Sequence, residues 1–202
     1  MNAALAVVDR VGVDAVTIRA VAKAVGAPPM SLYRHFSNKE DLLDLMYAAL
    51  ARRLYADAKH PTWQAELFFL CHQVRHVLTE HPRWAPLLSR PAPPMAVPLR
   101  ERLLKLMVSD GMSTEGAFAA LSAAILTSIG LVLVELTLRG PDGQSSVTNR
   151  FDRLKVWVET SSDAQYPLTQ EAVSQLPRFA LDDNFTFAVR TLIMGLETRR
   201  PS

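Results

Sequence analysis

The positions of the prolines constrain the fold of this chain more than any other sequence feature. Proline breaks a helix because it lacks a backbone N–H and clashes with the preceding turn. Two prolines stand together at positions 28 and 29, six fall between residues 82 and 98, and the stretches 30–60 and 99–140 contain none. The proline-free stretches are therefore where we predict long helices.

Apolar side chains in several segments repeat with the period of an α-helix. Two sets recur every three or four residues, namely Leu43, Met46, Leu50, Leu54 and Phe185, Val189, Leu192, Leu196. This spacing places each set on one helical face. Sustained two-residue alternation, which is typical of strands, is missing from the sequence. We therefore predict an all-α fold.

The composition is that of a folded protein with a real core. Apolar residues make up 49% and charged residues 21% of the 202 residues, which excludes a disordered chain. A single cysteine, Cys71, excludes a disulfide within one chain and fits a reducing compartment. The N-terminal residues lack the basic region and cleavage site of a signal peptide, so we expect a cytoplasmic protein.

One segment, 117–134, is apolar and nearly long enough to span a bilayer. Polar or small residues interrupt it, and it ends at an acidic one: Ser122, Thr127, Ser128, Gly130, Glu135. A helix that is apolar on all sides is typical of the interior of a protein. We therefore predict a buried helix and expect no membrane association.

The first forty residues predict a helix-turn-helix. Thr17 is a good N-cap for a helix over Ile18–Val25, and Gly26 suits a left-handed C-cap. Three residues then separate this helix from Pro29, which favours the first turn of a third helix. Leu32 and Phe36 are expected to point inward, and the segment 37–40 predicts a capping box that opens a fourth helix.

The side chains left on the outside of this unit point to DNA. The N-terminal end of a recognition helix meets base edges, so Ser31 is expected to hydrogen-bond a base, and Met30 or Pro29 to touch a thymine methyl. Residues 1–39 also hold five basic and two acidic side chains, a bias expected near an anion. The candidate DNA contacts, including phosphate contacts from Tyr33, His35 and Lys39, are Thr17, Arg19, Pro29, Met30, Ser31, Tyr33, Arg34, His35 and Lys39.

The spacing of about a dozen residues resembles the N-terminal signature of the TetR family of transcriptional regulators. The pattern reads Gly12-x4-Thr17-x-Arg19-x2-Ala22-x3-Gly26-x5-Leu32-Tyr33-x-His35-Phe36-x2-Lys39-x2-Leu42. The resemblance implies a cytoplasmic homodimer whose paired helix-turn-helix units bind a palindromic operator, and a helical C-terminal part that binds a small molecule. The ending Phe185-x-Phe187-x7-Gly195-Leu196-Glu197 is similar to the C-terminal class that includes the tetracycline repressor.

The sequence predicts two units, a DNA-binding domain over 1–45 and a ligand-binding and dimerisation domain over 46–202. In the second unit we predict helices over 62–80, 84–88, 99–110, 114–139 and 182–199, helical stretches within 149–161 and 169–176, and a polar loop over 140–148. The helix over 182–199 has a second apolar stripe, Phe187 and Met194. We expect it to form a four-helix bundle with the helix over 114–139 and their copies in a second chain.

Side chains on converging helices are candidates for an effector pocket, which needs apolar walls and a few polar groups: Phe68, His72, Trp84, Met107, Phe118, Ser122 and Ile125. His72 and His76 have the spacing of metal ligands, but no third ligand follows, so we expect no metal site and no cofactor. The sequence also lacks a Gly-x-Ser-x-Gly motif, a phosphate loop and a dinucleotide fingerprint, so we expect no enzyme.

Together these features predict a ligand-responsive transcriptional regulator. We expect a repressor that binds a palindromic operator as a homodimer and is released by a small molecule. The alternative is a helical carrier or sensor that binds small molecules but not DNA.

Overall fold

The computed structural model describes residues 2–56, 59–138, 156–158, 160, 166–175 and 181–198. This part of the chain consists of helices joined by turns and contains no strand, which confirms the all-α prediction. Ten α-helices have defined bounds within it: α1 (Asn2–Val11), α2 (Ile18–Val25), α3 (Pro29–Leu32), α4 (Lys39–Tyr55), α5 (Trp63–Glu80), α6 (Ala85–Leu88), α7 (Pro98–Ser109), α8 (Thr114–Leu138), α9 (Pro167–Gln175) and α10 (Leu181–Glu197).

The predicted helices of the second unit agree with these bounds to within about two residues. A 3-10 helix, Pro82–Trp84, comes directly before α6, and each has a proline in its first turn, where a proline is tolerated. A second 3-10 helix, Pro94–Ala96, precedes α7. The loop predicted over 140–148 and most of the stretch 149–161 lie outside the described residues.

The helix-turn-helix forms from local signals, as the sequence predicts. The Thr17 hydroxyl accepts the backbone N–H of Ala20 at 3.1 Å, which caps the start of α2. Gly26 closes α2 with a φ of 67°, in the left-handed region that glycine reaches without strain. Phe36 is buried and Leu32 is partly buried against the core, so the polar side chains of α3 remain outside. We call α1 to α3 the head.

The start of α4 differs from the predicted capping box by one residue. Asn38, and not Ser37, is the N-cap, and its side chain accepts the Asp41 N–H at 2.9 Å. The Asp41 carboxylate accepts the Ser37 N–H in return, also at 2.9 Å. The reciprocal pattern of a capping box is therefore present, but Asn38 and Asp41 form it. Asparagine caps a helix about as well as serine does.

The remaining helices form the body, in which α5 is the central element. It packs against α8, α10, α7 and α4 and buries Leu67, Leu70, Val74 and Leu78 on the shared faces. Helix α8 is long and apolar enough over Thr114–Thr137 to cross a membrane by length and composition. It contacts α5, α7 and α10, but only 39% of its most apolar window is buried, and Leu126 and Val134 are exposed. The predicted burial on all sides is therefore found on one side only within a single chain.

The segment from Pro82 to Arg90 contacts the head at one end and the start of α4 at the other. Arg83 donates through Nη1 to the backbone carbonyls of Asp9, at 3.1 Å, and Arg10, at the C-terminal end of α1. Arg90 donates through Nη2 to Glu40 in the first turn of α4. A cation at a helix C-terminus and acidic groups at a helix N-terminus both suit the helix dipole.

A chain of aromatic and polar contacts lies beside this segment. The rings of His81 and Trp84 stack at 3.8 Å with an interplanar angle of 5°, and His81 Nδ1 lies 3.1 Å from the Asp9 carboxylate. The guanidinium of Arg53, on α4, lies 5.2 Å from the centre of the Trp84 ring and donates to Asn2 at 3.0 Å. Both ends of α1 are therefore tied to the same aromatic pair.

Replacing Gly26 by alanine is expected to lower the free energy of unfolding by about 1 kcal/mol, because a Cβ disfavours the left-handed conformation even where space is open. Urea denaturation followed by circular dichroism measures this loss. Gly26→Asn is the matched control, since asparagine tolerates the conformation better and should cost less. An alanine variant as stable as the wild type would contradict the capping role.

Candidate DNA-binding surface and effector region

The structure brings the candidate contacts of α3 together on one exposed face of the head. Met30 is 76% exposed and Tyr33 is 44% exposed, which is unusual for large apolar or aromatic side chains. Pro29, Arg34 and His35 are also exposed. This face therefore presents apolar, aromatic and basic groups at the N-terminal end of a short helix that follows a three-residue turn.

Two hydroxyl-bearing candidates already have hydrogen bonds within the head. Ser31 donates its hydroxyl to the carbonyl of Pro28 at 2.7 Å, which leaves the hydroxyl oxygen as an acceptor. Thr17 uses its oxygen to cap α2. Ser31 is thus oriented to accept from an amino group on a base edge, whereas the capping bond occupies a lone pair of Thr17.

The basic candidates lie at helix starts around the same face. Arg19 is exposed in the first turn of α2. Lys39 is the first residue of α4 and donates from Nζ to the carbonyl of Asp14 at 2.5 Å. This bond holds the ammonium group beside the turn between α1 and α2 and near the N-terminus of α4, where an anion is favoured.

Four of the seven candidate effector residues lie on α5 or α8 and are partly buried: Phe68, His72, Ser122 and Ile125. Phe68 and His72 are in contact, with ring centres 4.2 Å apart, and His72 Nε2 lies 3.3 Å from the Thr186 hydroxyl of α10. The His72 ring also meets Phe185 edge-on at 5.3 Å. The interior between α5 and α10 therefore contains an aromatic wall with a polar atom.

The other three candidates differ from these four in burial. Trp84 belongs to the junction with the head, where it is 1% exposed and stacks on His81. Met107 is completely buried, and Phe118 is 52% exposed. The prediction of one pocket from all seven residues stays a prediction, because helical periodicity gives the inward face of a helix but not the neighbour that this face meets.

A buried ion pair in this interior did not follow from the sequence. Arg75 of α5 and Glu135 of α8 form two hydrogen bonds, at 2.8 and 3.0 Å, and Glu135 is only 3% exposed. The Arg75 guanidinium also lies 5.2 Å from the centre of the Phe185 ring. Its signal in the sequence is Glu135, an acidic residue on an otherwise apolar helix, which by itself indicates only the end of the apolar run.

Two further buried polar atoms, the Tyr55 hydroxyl and His60 Nε2, have no hydrogen-bond partner within the described part of the chain. Burial raises the pKa of Tyr55 well above its usual value, so the hydroxyl keeps its proton. Tyr55 is the last residue of α4, the helix that leaves the head. Buried polar atoms without partners are uncommon in proteins, and a ligand is one way to satisfy them.

Cys71 is buried in the same interior and has the chemistry of a core residue. Burial raises the pKa of its thiol to about 11, so the thiolate that a nucleophile requires is disfavoured at neutral pH. Among the described residues, His, Cys, Asp and Glu side chains form no cluster of three or more that could hold a metal ion.

A groove of about 900 Å³ lies on the surface of the body and is lined by residues of α8 and α10. Its α8 side consists of small residues, Gly116, Ala119 and Ala123, and its α10 side includes Phe187, which is 68% exposed. Three more exposed apolar side chains, spread over the two helices, are Leu126, Val134 and Met194. Apolar surface of this extent on two neighbouring helices is typical of a protein interface.

Comparisons with known proteins agree with this architecture. Residues 1–46 match the family model for bacterial regulatory proteins of the tetR family, and residues 57–200 match the model for the tetracyclin repressor-like C-terminal domain. The chain belongs to the TetR family of transcriptional regulators. Two family models thus cover the helix-turn-helix head and almost all of the body.

Characterised relatives of this TetR-family chain share about a quarter of its residues. An HTH-type transcriptional regulator of Saccharopolyspora erythraea is 28% identical over 171 residues, which are 83% of this chain and 70% of the relative. The class E tetracycline repressor protein of Escherichia coli is 28% identical over 204 residues, which are 98% of this chain and 89% of the relative.

Solved structures show the same fold at lower identity. The TetR family protein ActR of Streptomyces coelicolor, in complex with actinorhodin, superposes with a TM-score of 0.77 at 22% identity, covering 98% of this chain and 95% of that chain. A TetR variant from Acinetobacter baumannii AYE, in complex with minocycline, gives 0.66 at 22% identity and covers 100% and 96%.

Proposed function

We propose that this protein is a repressor that binds a palindromic operator as a homodimer and is released by a small molecule. The observation that carries the proposal is the exposed face of α3, which presents Met30, Tyr33 and basic side chains behind a capped helix-turn-helix. In this proposal residues 1–45 bind DNA, residues 46–202 bind the effector and the second chain, and the protein acts in the cytoplasm.

The reading of bases is assigned to the start of α3. A recognition helix meets the major groove with its N-terminal residues, and these are Pro29, Met30 and Ser31. Met30, the most exposed of the large hydrophobic side chains in the head, suits the methyl group of a thymine. Ser31 suits an amino group on a neighbouring base, since its own proton is donated to Pro28.

The remaining candidates position the head on the phosphates. Arg19 at the start of α2 and Lys39 at the start of α4 lie at helix N-termini, where phosphate oxygens meet free backbone N–H groups as well. Tyr33, Arg34 and His35 directly follow α3 and are exposed. Thr17 acts by capping α2, which fixes the direction of Arg19.

The homodimer is assigned to the exposed faces of α8 and α10. Small residues along α8 allow a second helix to approach closely, and Phe187 provides a large apolar side chain that fits such a surface. A two-fold axis through this groove builds a four-helix bundle from two copies. Two heads on one dimer are needed to read two half-sites about 34–36 Å apart.

The effector is assigned to the interior next to α5. Phe68, His72 and Phe185 supply aromatic walls, and the Tyr55 hydroxyl supplies a buried hydrogen-bonding group without a partner in the described residues. A bond to Tyr55 would act directly on the end of α4, which carries the head. Two relatives of this fold bind actinorhodin and minocycline, and we infer an effector that likewise combines an apolar body with polar groups.

The function is tested by measuring binding to a duplex from the region upstream of the protein's own gene. Fluorescence anisotropy at several salt concentrations should show tighter binding to this duplex than to a scrambled one, with an affinity that falls linearly on logarithmic axes as salt rises. Equal and weak binding to both duplexes would favour the alternative of a carrier or sensor that does not bind DNA.

Alanine substitutions of Lys39 and Ser31 are expected to change DNA binding in different ways. Lys39→Ala should weaken binding to specific and random duplexes alike and reduce the salt slope by about one, because it removes a phosphate contact. Ser31→Ala should change the preference at one operator position by about 1–3 kcal/mol. Anisotropy against single-base operator variants measures both effects.

Lys105→Ala is the control for this pair, since Lys105 is an exposed lysine of α7 in the body. It should leave the affinity and the salt slope unchanged. If Ser31→Ala rescales the affinity for every operator variant equally, the assignment of α3 as the base-reading helix is wrong.

A further inference from the structure

A cavity of about 740 Å³ lies where the head meets the body, away from the effector region assigned above. Its walls come from the turn between α1 and α2, from the segment Pro82 to Arg90, and from Leu133 of α8. Much of the lining is apolar, with Val11, Val13 and Pro86 beside Leu133. Both its size and its mixed lining are those of a small-molecule site.

Arg83 brings an unneutralised positive charge to the wall of this cavity. Its Nη1 donates to the carbonyls of Asp9 and Arg10. No carboxylate among the described residues lies within ion-pair distance of its guanidinium, and the carbonyls that it meets carry no net charge. The remaining N–H groups of Arg83 are therefore available to an acceptor inside the cavity.

Arg90 brings a second guanidinium with an unused donor. Its Nη2 contacts Glu40 and, at 3.8 Å, Asp44 of α4. Its Nε is buried and has no acceptor within the described residues. A buried donor without an acceptor is unfavourable, so a ligand oxygen at this atom would gain a hydrogen bond that the protein itself does not supply.

The acidic side chain that lines the cavity is Asp14. Its backbone carbonyl accepts from Lys39, which places a third cation next to the same turn. Arg90 is already paired with Glu40 and Asp44, so the positive charge that favours an anionic occupant comes from Arg83 and Lys39, against the one carboxylate of Asp14. A carboxylate also matches the paired N–H geometry of arginine.

We propose that this junction cavity is a second ligand site, which binds a small organic carboxylate with an apolar body. Arg83 and Arg90 hold the carboxylate, and the apolar body packs against Val13 and Leu133. The occupant contacts both the α1–α2 turn of the head and the body, so it fixes their relative orientation. The site goes beyond the proposed function, because its occupancy needs neither an operator nor the effector.

Benzoate and its neutral counterpart benzamide test the site in the full-length protein without DNA. Methyl NMR should show that benzoate shifts the resonances of Val11, Val13 and Leu133, whereas Leu192 and Leu196 in the α8–α10 groove stay unchanged. Benzoate should bind about tenfold more tightly than benzamide, because only benzoate forms charge-assisted hydrogen bonds.

Three variants separate the charge contribution from the shape of the cavity. Arg83→Gln should weaken benzoate binding about tenfold, and Asp14→Asn should strengthen it about threefold, because the first removes an attractive charge and the second a repulsive one. Arg52→Gln is the matched control, since Arg52 is an exposed arginine of α4 outside the cavity, and it should change nothing.

The proposal is overturned if benzoate causes no shifts at concentrations up to roughly 20 mM, if benzamide binds as well as benzoate, or if Asp14→Asn leaves the affinity unchanged. The Asp14 variant decides the question even if Arg83→Gln disturbs the end of α1. Because no DNA is present, these results do not depend on whether the protein binds an operator.

Discussion

Replacing Phe187 by glutamate is expected to convert the protein into a helical monomer that binds an operator about 100-fold more weakly or worse. The side chain is 68% exposed in one chain, so the charge should not disturb the core of that chain. In the proposed four-helix bundle the same carboxylate would be buried without a partner, next to its own copy. A monomer has only one head, so it loses the gain in affinity that comes from binding two half-sites at once.

Analytical ultracentrifugation measures the mass of this variant, circular dichroism its helicity, and anisotropy its affinity for DNA. Val108→Glu is the matched control, because Val108 is 41% exposed on α7 and lies outside the α8–α10 groove. It should remain dimeric and bind DNA normally. A wild-type chain that sediments as a monomer, or a Phe187 variant that stays dimeric, would contradict the proposed interface.

Trp84→Ala is expected to lower the free energy of unfolding by about 3–5 kcal/mol, which is the usual cost of removing a buried tryptophan. The side chain is 1% exposed, stacks on His81 and lies under the Arg53 guanidinium. Its removal opens a cavity between α1, α4 and the end of α5 and leaves the head attached by fewer contacts. Urea denaturation measures the loss.

Met95→Ala provides the comparison for this variant, since Met95 is 45% exposed and its replacement should cost less than about 0.5 kcal/mol.

The size of the Trp84 effect also distinguishes a role at the junction of head and body from a role in the predicted effector pocket. A tryptophan that lined an open effector pocket would be partly solvated, and its loss would cost little stability and mainly affinity for the ligand. A small stability change would therefore contradict the junction role.

The head was largely predictable because its structure follows from local signals. Thr17 at an N-cap, Gly26 at a left-handed C-cap and Pro29 in a first turn each act on backbone groups within four residues. Only the choice between Ser37 and Asn38 as the cap of α4 was wrong, and both residues cap helices well. Such signals do not depend on how the rest of the chain folds.

The junction and the effector region were less predictable because their contacts connect distant parts of the sequence. Arg53 reaches Asn2, His81 reaches Asp9, and Arg75 reaches Glu135, pairs that are 51, 72 and 60 residues apart. The position of Trp84 on a helix expected to converge with others made it a pocket candidate, but the sequence could not show that it faces α1 and not the effector region. Pairing of this kind depends on the packing of whole helices, which a single sequence does not display.

Selection of bound duplexes from a random library tests most directly whether the protein binds a palindromic operator, because the protein itself selects the sequence from all those present. The protein is expected to enrich a palindrome whose two half-sites are centred about one helical turn apart, or a multiple of that distance, with sequence preferences that change in Ser31→Ala. Enrichment of no sequence by a folded dimeric protein would contradict the account and leave a helical protein that binds small molecules alone.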